Sequence, residues 1–416
     1  MSENKKQQLV PRLRFPEYRA EDGWGSEFGN MIFDQISNKD HNSDLPVLAI
    51  TQEQGAIPRE MIDYHVSVTD KSLESYKVVE VGDFIISLRS FQGGIEFSRY
   101  RGICSPAYVI LRLRHGHSED YFRHYLKTDR FIAQMIKNLE GLRDGKMISY
   151  KQFSELELPI PPRDEQQKIA DCLSSLDDLI TAETQKLDTL KTHKKGLMQQ
   201  LFPREGETVP GLRFPEFRET GEWEKVSLQR VIEIASGQVD PTKPPYCDLP
   251  HVGGENIEAG TGKLLNLRTA KEDGVISGKY AFDEHDILYS KIRPALNKVA
   301  APDISGVCSA DVYPIRPCCE MLRREFLVYL LRSESFVKYA TKHSGRGKIP
   351  KINREDLFAY DAMLPTPAEQ EYIASFLSSL DERINLQSQK LEDLQKAMLI
   401  KSEGGQPVPR RFASLN

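Results

Sequence analysis

The chain has 416 residues, of which 39% are hydrophobic and 28% charged, and a formal net charge of −5. That length can bury the cores of two or three domains, and no apolar run is long enough for a membrane span. Six scattered cysteines exclude a disulfide framework, and the slight acidity excludes a chain-wide basic coat while leaving local basic patches open.

Residues 1–9 form a polar tail without the apolar centre of a signal peptide, so a cytoplasmic protein is expected. VPRLRFPEYRAEDGW (10–24) then opens a pattern that returns as VPGLRFPEFRETGEW (209–223). Further along, GDFIIS (82–87) is echoed by HDILYS (285–290), and GICSPAYVILR (102–112) by GVCSADVYPIR (306–316). The blocks keep one order, so the chain is a tandem duplication with a period of about 200 residues. Between these anchors, residues 35–80 and 234–284 align poorly, as expected of two related modules that touch different things or of ordinary drift in loops. The Gly82-to-His285 change puts a shared role for that turn in doubt.

VVEVGDFIISL and AYVILRL have the β-branched, partly alternating character of strands. One short helix is expected in each half, at DYFRHYLKTDRFIAQMI and at REFLVYLLRSESFVKYA. Each half ends in a longer helical segment, IADCLSSLDDLITAETQKLDTLK and IASFLSSLDERINLQSQKLEDLQ. Apolar residues recur in steps of three and four at Ile169, Leu173, Leu176, Ile180, Leu187 and Leu190, with polar breaks near Glu183 and Lys194. The second stripe is Ile373, Leu377, Leu380, Ile384, Leu391 and Leu394. Prolines at 161, 162, 365 and 367 precede the two helices, where they are tolerated. A helix with one apolar stripe needs a partner; its own duplicate is the nearest candidate, and packing against a foreign protein is the rival reading.

The chain has no P-loop, HExxH or GxSxG pattern, and no catalytic, cofactor or metal residues are assigned. Charge is more informative. Residues 81–151 hold 12 Lys and Arg against 7 Asp and Glu, and residues 286–356 hold 13 against 8. Basic and amide side chains cluster beside turn formers at Arg89, Gln92, Arg143 and Lys146. The second half has Lys291, Arg293, Asn297, Arg346 and Lys348. Glycine-bearing turns bring backbone close to a ligand, and these side chains suit phosphates and base edges, although such loops are often simply solvated.

The LRFPEF-type openings before a tryptophan, GDFIISLRSFQGG, PIPPRDEQQKIADCLSSLD and MLPTPAEQEYIASFLSSLD together resemble the specificity subunits of type I restriction–modification systems. The resemblance covers nearly the whole chain. It implies an α+β fold with two pseudo-repeated mixed α/β target recognition domains, at 10–160 and 209–365. A long antiparallel two-helix coiled coil, from spacer helices 163–202 and 368–402, would separate them, with a tail at 403–416. Such subunits are not enzymes. They bind a bipartite, asymmetric duplex DNA site and direct two adenine methyltransferase subunits and restriction–translocation subunits to it. AdoMet, ATP and Mg2+ then belong to those partners. The competing expectation is a non-catalytic coiled-coil scaffold with two protein-binding domains and no DNA readout.

Overall fold

The computed structural model describes residues 9–41, 44–62, 73–137, 148–345 and 349–402. The chain forms two compact units, one of residues 1–184 with 389–416 and one of residues 185–388.

In the first unit, β1 (Gly25–Phe28) pairs antiparallel with β10 (Glu157–Ile160). The central sheet has the order β2 (Phe33–Ile36), β9 (Val109–Leu113), β6 (Phe84–Ile86), β7 (Glu96–Phe97). Strand side chains alternate between faces, and here both faces are covered. Phe84, Ile86, Val109 and Leu111 enter one core, while Ile85 and Ile110 enter another. That double burial explains why FII and VIL read as continuous apolar runs. The second core also takes Leu48 of β3 (Leu48–Thr51), Ala56 of β4 (Gly55–Pro58), Val79 of β5 (Lys77–Val79) and Cys104 of β8 (Gly102–Cys104).

The second unit repeats this plan. β11 (Glu224–Ser227) pairs with β20 (Asp361–Leu364). Its central sheet has the order β12 (Ile232–Ile234), β19 (Val312–Pro317), β16 (Ile287–Ser290), β17 (Val299–Ala300). Ile287, Tyr289, Tyr313 and Ile315 face one core, and Leu288 and Val312 the other. A second sheet holds β14 (Arg268–Thr269), β13 (Pro250–Val252), β18 (Gly306–Cys308) and β15 (Tyr280–Phe282).

The poorly alignable segments share topology at their edges. β5 runs antiparallel to β8 as β15 does to β18, and Val47 bridges Ile103 in parallel as β13 does β18.

Each expected short helix is in fact two. α1 (Glu119–Tyr125) and α2 (Asp129–Lys137) stand in the first unit, α4 (Arg324–Arg332) and α5 (Glu334–Lys342) in the second. The break is an internal N-cap: Thr128 Oγ1 accepts from Phe131 N, and Ser333 Oγ from Phe336 N. Serine and threonine hydroxyls compete for backbone amides in this way and restart a helix.

The doubt about the turn at Gly82 and His285 is also corrected. Gly82 has φ +95°, and His285 is not in the left-handed region. Even so, Asp83 and Asp286 do the same work. Asp83 accepts from Glu80 N and pairs with Arg112, and Asp286 accepts from Asp283 N and pairs with Arg316.

Two long helices complete the units, α3 (Arg163–Leu201) and α6 (Pro367–Ser402), and each unit holds a stretch of both. Among the described residues no helix is long and apolar enough to cross a membrane. In the apolar stripes Leu173, Leu187, Ile373, Leu377, Leu380 and Ile384 are buried, and Ile169, Leu176, Ile180, Leu190, Leu391 and Leu394 half-buried. The N-terminal stretches pack on sheet cores: Ile169 lies against the first unit's, and Ile373, Leu377 and Leu380 lie inside the second's beside Leu201. The polar breaks are ion pairs, Glu183 with Lys390 in the first unit and Lys194 with Asp381 in the second.

A repeated clamp fixes each helix start. Arg14 grips buried Glu165 through two hydrogen bonds of 2.8 Å, and Arg213 grips buried Glu369 at 2.8 and 2.7 Å. The next residue is a buried glutamine in both copies. Gln166 donates to Pro161 O and accepts from Ser118 N, and Gln370 donates to Pro365 O and accepts from Arg323 N.

Candidate nucleic-acid interface

Equivalent strands β6 and β16 lead into turns at buried serines, Ser87 directly after β6 and Ser290 at the end of β16. In the first unit the turn spans 87–94. Ser90 Oγ accepts from Ser87 N at 2.8 Å, and Gly94 N donates to Ser90 O at 2.8 Å. Gly94 has φ +82°, and a Cβ there would lie 2.2 Å from Leu126 O, so this turn needs glycine. Gln52 braces it from β3's end by donating to Arg89 O, while Lys127 donates to Gln52 O. The Lys127 ammonium pairs with buried Glu96 at 2.5 Å. Burial lowers the Lys127 pKa and raises that of Glu96, so the pair is internal bracing. The turn leaves Leu88, Arg89 and Gln92 exposed.

In the second unit the turn spans 290–298 and is stapled to a second segment. Ile292 bridges Lys351, Arg293 N donates to Pro350 O at 2.8 Å, and Ile352 N donates to Lys291 O at 3.1 Å. Arg293 and Asn297 both lie in the left-handed region, each at φ 49°. The Asn297 side chain points inward, donating to Arg332 O at 3.1 Å, with its Oδ1 buried and unpartnered among the described residues. The Lys291 ammonium is also committed. It donates to Ala310 O at 2.8 Å, lies 3.2 Å from Asp311 and sits over the Tyr313 ring.

The expected contact residues therefore separate. Arg89 and Gln92 come together on the first turn, and Arg293 is exposed on the second. Lys291 and Asn297 brace the second turn. Arg143, Lys146, Arg346 and Lys348 lie outside the described residues. The flanks of the 346–348 segment, however, meet the second turn, since Gly345 N donates to Lys351 O. Sequence reasoning missed exposed Lys351, although its position three residues past SGRGK was a usable signal. It also missed the exposed apolar residues of these turns, Leu88 and Leu296, which carry no charge signal. No group of three or more metal-ligating side chains occurs among the described residues.

A sequence profile of the type I restriction modification DNA specificity domain matches residues 29–192 and 220–396. The chain is 30% identical over 213 residues to the type I restriction enzyme EcoDI specificity subunit of Escherichia coli, covering 49% of this chain and 47% of that one. It is 26% identical over 349 residues to the MjaVIII specificity subunit of Methanocaldococcus jannaschii, covering 80% and 79%. The alignment thus spans about half the length of the first relative and about four-fifths of the second. Among solved structures, a type I restriction–modification S subunit from M. genitalium superposes with a TM-score of 0.57 at 13% identity, over 96% of this chain and 100% of that one. A chain from a structural study of type I R-M complex assembly and conformational transition gives 0.54 at 15% identity, over 92% and 97%. At these identities the likeness is one of fold.

Proposed function

The chain belongs to the type I restriction–modification DNA specificity family, and from that premise we propose that it is the sequence-reading subunit of such a system. Residues 10–160 and 209–365 are its two target recognition domains, and each reads one half of a split, asymmetric duplex site. Spacer helices 163–202 and 368–402 run antiparallel and hold the two domains apart. The subunit performs no catalysis in the cytoplasm where it works. It directs two adenine methyltransferase subunits and the restriction–translocation subunits, which use AdoMet, ATP and Mg2+.

One observation carries this reading. The two units keep equivalent sheets and equivalent edge turns, but these turns present different side chains. A shared scaffold with unlike tips suits a site whose halves differ in sequence. Phosphate contacts would position each domain, and base-edge contacts would discriminate. The ion pairs support the antiparallel spacer: Glu183 meets Lys390 and Lys194 meets Asp381, so position rises in one helix as it falls in the other. Polar pairs that interrupt an apolar seam specify register and direction.

The test is to map methylated adenines in a random-sequence library treated with the reconstituted methyltransferase complex. A bipartite, asymmetric motif is expected. Methylation without sequence preference would overturn the DNA-reading function in favour of a protein-binding scaffold.

A further inference from the structure

We propose that Arg293 is the side chain with which the second unit reads a base edge, and that Lys351 beside it holds a phosphate. This assignment rests on the DNA-reading function proposed above and makes it specific. Among the described residues six cations lie in or beside the turn at 290–298: Lys291, Arg293, Lys298, Arg332, Lys351 and Arg354. Four are spent on the protein itself. Lys291 is held by Ala310 O and Asp311, and Lys298 donates to Gly254 O at 2.7 Å. Arg332 donates to Thr261 O and Val299 O, both at 2.7 Å, and Arg354 to Ala235 O at 2.8 Å. Of these described cations, Arg293 and Lys351 are the two that stand exposed.

The backbone singles out Arg293 further. A non-glycine residue with φ 49° is uncommon, and directly before Pro294 the proline ring adds its own restriction. Such a conformation persists where its surroundings impose it. Here the imposing contacts are Arg293 N to Pro350 O and Leu296 N to Arg293 O, both 2.8 Å. A simple solvated loop would not require an arginine at a position that glycine fills without strain. The result is a guanidinium on a fixed stem, which suits a bidentate contact to a guanine edge. Exposed Leu296, three residues on, offers apolar contact for a thymine methyl. Lys351 is a point charge on the adjoining segment, the form of contact that positions without reading sequence.

The experiment maps methylation motifs and binding with the reconstituted complex carrying Arg293→Gly, Arg293→Lys or Lys351→Ala. Glycine accepts the backbone geometry, so the Arg293→Gly complex should melt no lower than wild type, which keeps folding out of the result. Both Arg293 variants should relax one position of one half-site, with discrimination there falling roughly 5- to 150-fold, and should leave the other half-site intact. Lys351→Ala should weaken all sequences alike and reduce the salt slope by about one. If wild type yields a bipartite motif and both Arg293 variants keep every position, Arg293 is not the reader, while the family function stands. Full specificity in Arg293→Lys but not in Arg293→Gly would overturn the bidentate guanidinium contact, since a lysine amine would then read the same edge. A wild-type complex without any motif would instead overturn the underlying function. An unchanged salt slope in Lys351→Ala would remove the phosphate assignment.

Discussion

Glu369 holds a carboxylate inside the protein, where Arg213 forks onto both its oxygens and Trp223 Nε1 donates at 3.3 Å. The hydrogen bond to Glu369 raises the Arg213 pKa, as expected of two charges that stabilise one another. Removing one partner of such a buried pair leaves the other uncompensated, at a cost of about 3–5 kcal/mol. Arg213→Ala should therefore lower the denaturant midpoint of the second unit strongly, whereas exposed Arg218→Ala should leave it nearly unchanged. Chemical denaturation followed by tryptophan fluorescence reads both. His124 gives a pH test in the first unit. Burial, then the nearby positive charges of Arg123 and Arg99, push its pKa down to about 4. The geometry agrees: Nε2 lies 3.2 Å from the Arg123 guanidinium, which can only donate, so Nε2 is an acceptor and the ring is neutral. Asp177 at 3.8 Å does not reverse this. A histidine with a depressed folded pKa takes up protons preferentially in the unfolded chain. Its stabilising effect is complete above pH 6.5 and is lost as pH falls from 6.5 towards 4, by about 3 kcal/mol in total. Burial raises the Asp177 pKa, which offsets part of this loss. His124→Gln should flatten the loss in melting temperature over that window, and an unchanged pH profile would contradict the assignment.

At the scale of elements, the helix breaks are a test of capping. Ser333 is fully buried, donates to Leu330 O at 2.7 Å and caps Phe336 N. Ser333→Ala should destabilise the second unit by about 1 kcal/mol, read as a shift in denaturant midpoint without a change in slope. The sequence made some elements plain and hid others, for physical reasons. FII and VIL announced strands because both faces of the central sheets are buried. LSSLD and the QKL segments announced long helices because their apolar stripes are unbroken apart from Glu183 and Lys194. The interruption at Thr128 and Ser333 was hidden because apolar spacing continues across it, and only the hydroxyl's contact reveals the cap. The exposed turns at 87–94 and 290–298 were half legible. Charge and glycine located them, but whether a lysine points outward, or inward like Lys291, depends on Asp311 and Tyr313, which lie 20 and 22 residues away in sequence. The role of Gln166 and Gln370 was equally hidden, because repetition marks a residue without saying what it bonds.

For the whole molecule, the proposed division into two readers and a spacer makes two separable claims. Replacing residues 25–160 with the matching segment of another specificity subunit should change one half-site and leave the other, as read by methylation mapping. Simultaneous change of both halves would rule out modular reading. Matched seven-residue insertions near Gln185 and Gln389 keep the apolar stripes in phase and lengthen each helix by about 10 Å. The half-sites should then stay the same while the gap between them grows by about three base pairs, at 3.4 Å per pair. An unchanged gap in an active complex would exclude the spacer role.

The pairing of first strand with last bears on how the chain is made. Gly25 stands opposite Ile160, and Glu224 opposite Leu364. Arg14 likewise waits for Glu165, and Arg213 for Glu369. During synthesis neither half can close until its final strand has left the ribosome, a delay on the order of ten seconds at typical elongation rates. The first half has its closing strand and clamp in hand before most of the second half exists. Its topological counterpart β20 therefore arrives too late to compete for β1, and the order of translation protects two similarly built halves from exchanging strands.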